Sequence, residues 1–279
     1  MFVGYDTWEG PLYEPYNNID VTIPCDDVEA YRANPRYRHL FFKPLVCDYF
    51  GVYNVPVGSA HVRYPAIQKP VINPFGMGMG TREVNCKADE RYIPGTFYTE
   101  KLVGEHKSVD IMVLDGLPVF HQSAIAHKGD GFTFDYWELI QDDLDWEVIL
   151  FIVENMGDYS GMLNIETINN KPIELTLRMS GQFIDMYCDD FIDQIVNIYN
   201  NKDVNVENLE QIAGAYSVPI FVPFLDESRC RDISVPFVNT IDSDDYNPIG
   251  GKRLGYINTR DLQDGLQKRE EIKRCYLRS

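Results

Sequence analysis

The chain has 279 residues, of which 44% are hydrophobic and 24% are charged, values that are ordinary for a soluble globular protein of one or two lobes. Its 25 Lys and Arg residues against 43 Asp and Glu residues give a formal net charge of −18. A surface this acidic repels the phosphates of nucleic acids and of anionic membranes, so we expect neither as a partner.

Targeting signals and metal-binding cysteine or histidine motifs are missing from the sequence. It has no apolar run long enough for a transmembrane helix, and the opening MFVGYDTWEG lacks the basic and apolar regions of a signal peptide. The six cysteines form no CxxC pair and the five histidines form no HExxH motif. We therefore expect reduced thiols and a cytoplasmic protein with neither a disulfide framework nor a zinc site.

The first half of the chain predicts an irregular arm, one helix and a series of strands. Residues 1–40 are rich in Pro, Tyr, Asn and Asp and show little periodicity, which predicts an arm with one short strand at 19–23. Residues 41–51 predict a short helix that ends at Gly51. Strands are predicted at 66–70, 81–86, 95–101, 108–114 and 118–126, the last two joined by a hairpin turn at Asp115-Gly116.

The second half mixes helices with further strands. Apolar residues recur at helical spacing over 142–154 and over 183–199, which predicts a helix in each range. Strands are predicted at 162–168 and 172–179, on either side of a tight polar turn. The tail predicts one strand at 217–223, then loops, then a charged helix at 262–276. The fold class is therefore α+β with antiparallel sheets.

A glycine-rich loop follows the strand that carries Lys69. In YPAIQKPVINPFGMGMGTRE, this loop contains Gly76, Gly78 and Gly80. Glycines let backbone N–H groups close around phosphate oxygens, and the lysine would supply positive charge to the same phosphates. The alternative is a flexible hairpin loop beside a solvated lysine, since no GK[ST] of a P-loop follows.

The segment TEKLVGEHKSVD places a short acidic and apolar stretch and a glycine between two predicted strands. Its backbone donors and acceptors can meet the edge of an adenine, with Glu100 and Glu105 nearby. Taken alone, an edge strand followed by a charged turn is the simpler interpretation.

The segment NIETINNKPIELTLR predicts a hairpin with its turn at 169–171. In that register Ile168 faces Pro172, and Glu166 faces Glu174. Like charges directly opposite each other are destabilising, so this pair calls for a cation between the two strands. Oxygen ligands suit Mg²⁺ that is held partly by phosphate.

The second strand of this hairpin carries further polar residues. Because side chains alternate along a strand, Glu174, Thr176 and Arg178 lie on one face. Arg178 would then face the same phosphate that the Mg²⁺ ion binds. The alternative is a solvent-facing strand in which Arg178 forms an ordinary ion pair.

The order of these motifs resembles that of the ATP-grasp superfamily, whose members include biotin carboxylase, D-alanine–D-alanine ligase and carbamoyl phosphate synthetase. The resemblance covers roughly residues 41–182. Lys43 with the following FGV and YNVP resembles the helix and connector before the ATP lobe, YPAIQKP resembles the family's YPvivKP, and PFGMGMGTREV resembles its flap. TEKLVGEHKSVDIMVLDG resembles the hinge, and NIETINNKPIELTLR resembles the metal-binding strands, which usually end in E-x-N-x-R.

The resemblance implies an ATP-grasp fold, in which two α+β lobes with antiparallel sheets enclose the nucleotide. Adenine would lie at the hinge, and the glycine-rich flap would close over the phosphates. The nucleotide-binding residues that it implies are Lys43, Lys69, Gly76, Gly78, Gly80, Glu100, Lys101, Leu102, Val103, Glu105 and His106.

The resemblance also implies a reaction. Glu166, Glu174 and Thr176 would hold Mg²⁺, or Mn²⁺ in its place, at the β- and γ-phosphates. ATP would phosphorylate a carboxylate to an acyl phosphate, which an amine or another nucleophile then attacks. Lys69 and Arg178 would be catalytic, because they would stabilise the phosphates and the transferring group.

Three features depart from the family pattern. Thr176 stands where the family has a metal-binding Asn. His106 stands at the second acidic position of the hinge pattern, where Glu105 would have to compensate. The usual N-terminal substrate domain is largely missing, so we expect the arm, the tail or a partner subunit to recognise the substrate.

The resemblance therefore implies an ATP- and Mg²⁺-dependent ligase that joins a small-molecule carboxylate to an amine or other nucleophile. One alternative is a catalytically reduced nucleotide-binding or regulatory protein on the same fold, and another is a small-molecule kinase. A homo-oligomer or a partner subunit would complete the substrate site. The predicted division is an arm at 1–40, a small ATP-binding lobe with hinge at 41–103, a large lobe with the metal-binding hairpin at 104–200, and a C-terminal extension at 201–279.

Overall fold

The computed structural model describes residues 23–24, 26–72, 78, 80–129, 133–223 and 252–278. These residues form two antiparallel sheets, one of four strands and one of seven, with helices packed against them. The predicted α+β class with antiparallel sheets is therefore confirmed. The strand predicted at 19–23 lies almost entirely outside the described residues.

The small sheet is preceded by two short α-helices and a 3-10 helix, and its strand order is β1–β4–β2–β3. A small apolar core of Ala66, Val84 and Tyr98 lies against this sheet. The elements are α1 (Asp27–Ala33), the 3-10 helix Pro35–Phe41, α2 (Lys43–Tyr49), β1 (Asn54–Pro56), β2 (Ala66–Pro70), β3 (Arg82–Val84) and β4 (Thr96–Glu100).

The large sheet has the strand order β11–β10–β7–β6–β5–β8–β9. Two of its strands come from the tail beyond residue 200, so the C-terminal region completes this sheet. Its strands are β5 (His106–Leu114), β6 (Leu117–Lys128), β7 (Phe134–Ile140), β8 (Gly161–Ile168), β9 (Lys171–Thr176), β10 (Ala215–Val222) and β11 (Lys252–Thr259).

Helices cover both faces of the large sheet, as the alternation along its strands requires. On one face, Val109 and Ile111 of β5 share a core with α3 (Trp146–Asn155) and α2. On the other face, Met112 shares a core with α4 (Phe191–Tyr199). The C-terminal helix α5 (Leu262–Arg278) packs against β10 and β11.

A buried carboxylate fixes the chain where it leaves β9. Asp110 of β5 is 1% exposed and accepts hydrogen bonds from Asn164 Nδ2, Ser180 N and Tyr187 OH, each at 2.7 Å. Burial raises the pKa of Asp110, although these donors and the nearby charge of Arg178 oppose that rise. This network holds β5, β8 and the segment after β9 together.

The helix predicted over 183–199 is not continuous. A 3-10 helix at Gly181–Met186 and α4 are separated by a turn. The hydrogen bond from Tyr187 to Asp110 fixes the chain at this break, and the Asp189-Asp190 pair just before α4 favours a helix start over a helix interior.

The arm predicted as irregular over 1–40 contains two helices within its described part. Asp26 caps α1 by accepting a hydrogen bond from Glu29 N at 2.7 Å, and Pro35 begins the 3-10 helix. The prediction also missed β1, β7 and β11. β7 lies between other strands, and tertiary pairing rather than local sequence stabilises its mixture of aromatic and acidic residues.

Among the described residues, no helix combines the length and apolar character that crossing a membrane requires.

Replacing the buried Asp110 should destabilise the fold. Asp110→Ala removes three hydrogen bonds at once and leaves the buried Tyr187 hydroxyl without its acceptor, so we expect the free energy of unfolding to fall by about 3 kcal/mol. Urea denaturation measures this change. Asp203→Ala, at an exposed position, is the matched control and should change stability by less than about 0.5 kcal/mol. Equal unfolding midpoints for the two variants would contradict the role given to Asp110.

Candidate functional site

The β8–β9 hairpin turns more tightly than the sequence predicts. Its turn is Asn169 and Asn170, with φ of 51° and 61°, a conformation that Asn tolerates better than most residues. Ile168 therefore pairs with Lys171. The prediction that Ile168 faces Pro172 is wrong, because the turn has two residues rather than three.

A bulge restores the predicted pairing of the two glutamates. The register shifts between Glu166 and Thr167, so Ile173 has no opposite residue in β8 and Glu166 pairs with Glu174. The carbonyl oxygen of Ile173 accepts a hydrogen bond from Lys69 Nζ at 3.1 Å. One extra residue thus aligns the glutamates and supplies an acceptor for the lysine.

Lys43 neutralises one member of the glutamate pair. It begins α2, and its Nζ lies 2.8 Å from Glu174 Oε2. The Lys43 side chain is 7% exposed and that of Glu174 is 23% exposed. The backbone N–H of Lys43 donates to Val71 O at 2.9 Å, which ties the start of α2 to the end of β2.

Lys69 supplies a second positive charge from the centre of the small sheet. Its side chain is buried, and its Nζ lies 5.6 Å from the centre of the Phe97 ring. Burial, followed by repulsion from Lys43, lowers the pKa of Lys69 from 10.5 to about 8. Glu174 and Glu166 oppose this shift because their charges favour the ammonium.

His106 contacts the other glutamate. Its Nε2 donates to Glu166 Oε2 at 3.2 Å, and its ring packs edge-on against Phe134 and Trp137. Burial alone would raise the pKa of Glu166, but His106 and then Lys43 outweigh it and hold this pKa below its usual value. The structure thus places His106 at the glutamate pair.

The opposite shift occurs at Glu174. Burial raises its pKa, and repulsion from Glu166 adds to that rise, while the ammonium of Lys43 opposes it. The pKa values of the two carboxyl groups therefore shift in opposite directions, and Glu166 is the more readily ionised of the two.

Two further predicted site residues are Thr176, at the end of β9, and Arg178, beyond it. The Oγ1 atom of Thr176 is buried and has no hydrogen-bond partner in the described structure. Arg178 lies two residues after the end of β9. Its Nε donates to Asp27 Oδ1 at 2.5 Å and its Nη1 donates to Met179 O at 2.8 Å.

The predicted hinge residues before His106 contact other parts of the chain. Glu100 Oε1 accepts from Tyr53 N at 2.8 Å, and Lys101 pairs with Glu83 at 2.7 Å on the surface. Leu102 packs against the core, whereas Val103 is 78% exposed.

A close contact joins this hinge to the tip of the hairpin. Gly104 has φ +144°, and a Cβ atom there would lie 2.7 Å from Asn169 Cβ. The carbonyl oxygen of Glu105 accepts from Asn169 N at 2.8 Å, and its carboxylate pairs with Lys107. A role in adenine and ribose binding stays a prediction for the hinge residues, Glu100, Lys101, Leu102, Val103, Glu105 and His106.

The glycine-rich loop is described only at its end. Gly76 lies outside the described residues, and Gly78 and Gly80 adopt positive φ of 64° and 69°. Thr81 N donates to Gly78 O at 3.0 Å, which forms the turn into β3. Phosphate binding by this loop stays a prediction.

Sequence reasoning missed two acidic residues near Arg178. Asp27 lies in the arm predicted as irregular, although Asp26 and Glu29 around it follow a helix-start pattern that would have indicated α1. Asp110 lies two residues after Ser108 on β5 and pairs with Asn164 across the sheet. Strict alternation along β5 would have placed it on the same face as the glutamates.

A cavity of about 130 Å³ lies elsewhere, near the N-terminus of α3, where Val109, Ile165 and Val148 contribute to its lining. Val109 and Ile165 are on the sheet face opposite the glutamates. Lys107, which also lines it, is paired with Asp142 at 3.1 Å. The cavity is therefore separate from the cluster of Lys43, Lys69, Glu166 and Glu174.

No protein-family model matches the sequence, and no curated protein matches it. Solved structures do match. An L-amino acid ligase from Bacillus licheniformis aligns with 94% of this chain and 80% of its own, at 13% identity and a TM-score of 0.56. A carboxyaminoimidazole ribonucleotide synthase from Aspergillus clavatus, complexed with ATP, aligns with 96% of this chain and 78% of its own, at 13% identity and a TM-score of 0.59. A biotin carboxylase from Campylobacter jejuni covers 79% of this chain and 58% of its own, at 17% identity and a TM-score of 0.51.

The chain has the ATP-grasp fold. The fold inferred from the order of the sequence motifs is therefore confirmed. At these identities the likeness establishes the fold alone. In the ATP-grasp fold of this chain, Lys43 and Lys69 reach from α2 and the small sheet to β9 of the large sheet.

The buried ammonium of Lys69 makes a testable contribution to stability. Its pKa is about 8 in the folded chain against an ordinary value of 10.5, so the unfolded chain binds more protons between these values. The folded state therefore gains stability as the pH rises through that window, by about 1 kcal/mol per pH unit. Lys69→Met should lose this gain, and the exposed Lys202→Met should keep it. Urea denaturation at several pH values measures the difference, and parallel curves for wild type and Lys69→Met would contradict the assignment.

Proposed function

We propose that this protein is an ATP- and Mg²⁺-dependent ligase that joins a carboxylate to an amine, or to another nucleophile, through an acyl phosphate. One observation carries the proposal: Glu166 and Glu174 face each other on β8 and β9, Lys43 contacts Glu174, and Lys69 donates to the adjacent Ile173 carbonyl. The fold supports it, because matching structures include an L-amino acid ligase and a synthase complexed with ATP.

The residues at the hairpin fit a magnesium ion. Glu166, Glu174 and Thr176 offer hard oxygen donors, and the buried Oγ1 of Thr176 has no hydrogen-bond partner in the described structure. Among the described residues no group of three or more His, Cys, Asp and Glu side chains could hold a metal by itself. The remaining ligands of such an ion would come from phosphate and water, and Mg²⁺ or Mn²⁺ would there shield the phosphate charge.

The two lysines bind and orient the triphosphate in this proposal. Lys43 and Lys69 carry compact positive charges on separate elements, α2 and β2, so together they fix the position of an anion between them. Their side chains are buried, and charges act more strongly in such surroundings than in water. Lys43 would exchange its contact with Glu174 for one with a phosphate when the nucleotide binds.

Arg178 serves the transfer step. A carboxylate oxygen of the substrate attacks the γ-phosphorus and ADP leaves, after which the amine attacks the acyl carbon and inorganic phosphate leaves. The guanidinium, which has a fixed planar set of donors, would stabilise the transferring phosphoryl group or the carboxylate. Exclusion of water by the glycine-rich loop would protect the acyl phosphate from hydrolysis.

Thr176 favours a second candidate function. A hydroxyl replaces the amide that the ATP-grasp pattern E-x-N-x-R has at this position, so metal binding would be weaker. A nucleotide-binding or regulatory protein that does not turn over ATP would tolerate this change. Such a protein would bind ATP without releasing ADP, whereas a small-molecule kinase would release ADP without needing an amine.

Removing one carboxylate of the glutamate pair tests the proposed function. Glu174→Gln is nearly isosteric but removes one charged oxygen ligand, so Mg²⁺-dependent ADP release should fall by at least about tenfold. ADP release is measured with mixtures of carboxylates and amines at several Mg²⁺ concentrations. Glu154→Gln, at an exposed position of α3, is the matched control and should behave as wild type. Unchanged turnover and unchanged Mg²⁺ dependence in Glu174→Gln would show that the hairpin is not the metal site.

A further inference from the structure

An ion pair joins the N-terminal segment to Arg178, which lies two residues after the end of β9. Asp27 of α1 is 4% exposed, and its Oδ1 accepts from Arg178 Nε at 2.5 Å. We infer that Asp27 is a positioning residue, which holds the guanidinium of Arg178 in the orientation that the transfer step needs. This inference rests on the proposed function, because that function gives Arg178 its role.

Two anchors fix the plane of the guanidinium. Asp27 binds the Nε atom, and the carbonyl oxygen of Met179 binds Nη1 at 2.8 Å. A planar group held at two of its nitrogen atoms cannot rotate about its long axis without breaking one hydrogen bond. Arg178 is only 21% exposed, so its side chain has little room for another arrangement.

Other carboxylates compete for Arg178. The charge of Arg178 lowers the pKa of both Glu166 and Asp110, which places it within electrostatic reach of each. Asp27 competes with both carboxylates, because it binds the guanidinium directly at Nε. Asp27 therefore contributes to the position of the guanidinium relative to Glu166 and Asp110.

The position of Asp27 is itself well defined. It is the first residue of α1, and the neighbouring Asp26 caps that helix. Ala30 of α1 is buried in the same core as Leu175 and Leu177, which alternate with the site residues of β9. Removing one partner of a buried ion pair destabilises a fold, so the test below includes readouts that a loss of stability alone does not explain.

Two neighbouring aspartates provide a matched pair of variants. Asp27→Asn removes the charge that holds Arg178, and Asp26→Asn removes an equal charge one residue away while keeping a helix-capping side chain. We expect Asp27→Asn to lower the rate of ADP release by about tenfold or more while the Kd for Mg·ATP changes by less than about threefold. Asp26→Asn should leave both values within about twofold of wild type.

A double-mutant cycle and a conservative variant separate positioning from general structural damage. If Asp27 acts through Arg178, adding Asp27→Asn to Arg178→Lys should cause no further loss of turnover. Asp27→Glu should recover part of the rate because it keeps the carboxylate. Equal rates for Asp27→Asn and Asp26→Asn, or losses that multiply in the double variant, would overturn the inference.

An NMR readout distinguishes failure of this inference from failure of the proposed function. By ¹⁵N NMR, the Nε–H group of Arg178 should be rigid in wild type and in Asp26→Asn. It should become mobile in Asp27→Asn. If wild type neither binds Mg·ATP nor releases ADP but the resonance responds as expected, the proposed function fails and the orienting ion pair stands. If wild type is active and the resonance is unchanged in Asp27→Asn, the ion pair does not orient Arg178 and the inference fails.

Discussion

Two glutamates held side by side on β8 and β9 impose a constraint on the rest of the structure. Carboxylates directly opposite each other in a sheet repel, and burial strengthens that repulsion. In this chain Lys43 of α2 contacts Glu174, and His106 of β5 contacts Glu166. The two carboxylates of one hairpin thus contact residues from elements that are far apart in the sequence.

The geometry of the hairpin depends on one extra residue. A two-residue turn alone would set Glu166 and Glu174 out of register, and the bulge at Ile173 restores their pairing. The same bulge directs a carbonyl oxygen to Lys69. Register, charge neutralisation and the contact between the two sheets therefore have a common local origin, in accordance with the general association of bulges with functional sites.

Local sequence patterns predict part of this site. They do not predict the contacts between residues that are far apart in the sequence. The Asp115-Gly116 turn and the strand that carries Lys69 follow from turn chemistry and strand patterning, which need only short windows. The Glu166–Glu174 pairing was predicted with a turn one residue too long, and the unpredicted bulge at Ile173 compensates for that error. The ion pair of Arg178 with Asp27 spans 151 positions, and no local pattern reports such a contact. β7 and the break before α4 were missed for a related reason, since sheet pairing and the Tyr187–Asp110 hydrogen bond set them.

The most direct test of the account is a thermal-shift titration of the wild-type protein with ATP, with and without Mg²⁺. A ligand that binds only the folded state raises its stability by RT ln(1 + [L]/Kd), so even modest affinity is measurable. The account predicts a shift that is specific to adenine nucleotides and larger when Mg²⁺ is present. No shift at saturating ATP under either condition would contradict it, because the paired glutamates and the buried lysines would then have no nucleotide to bind.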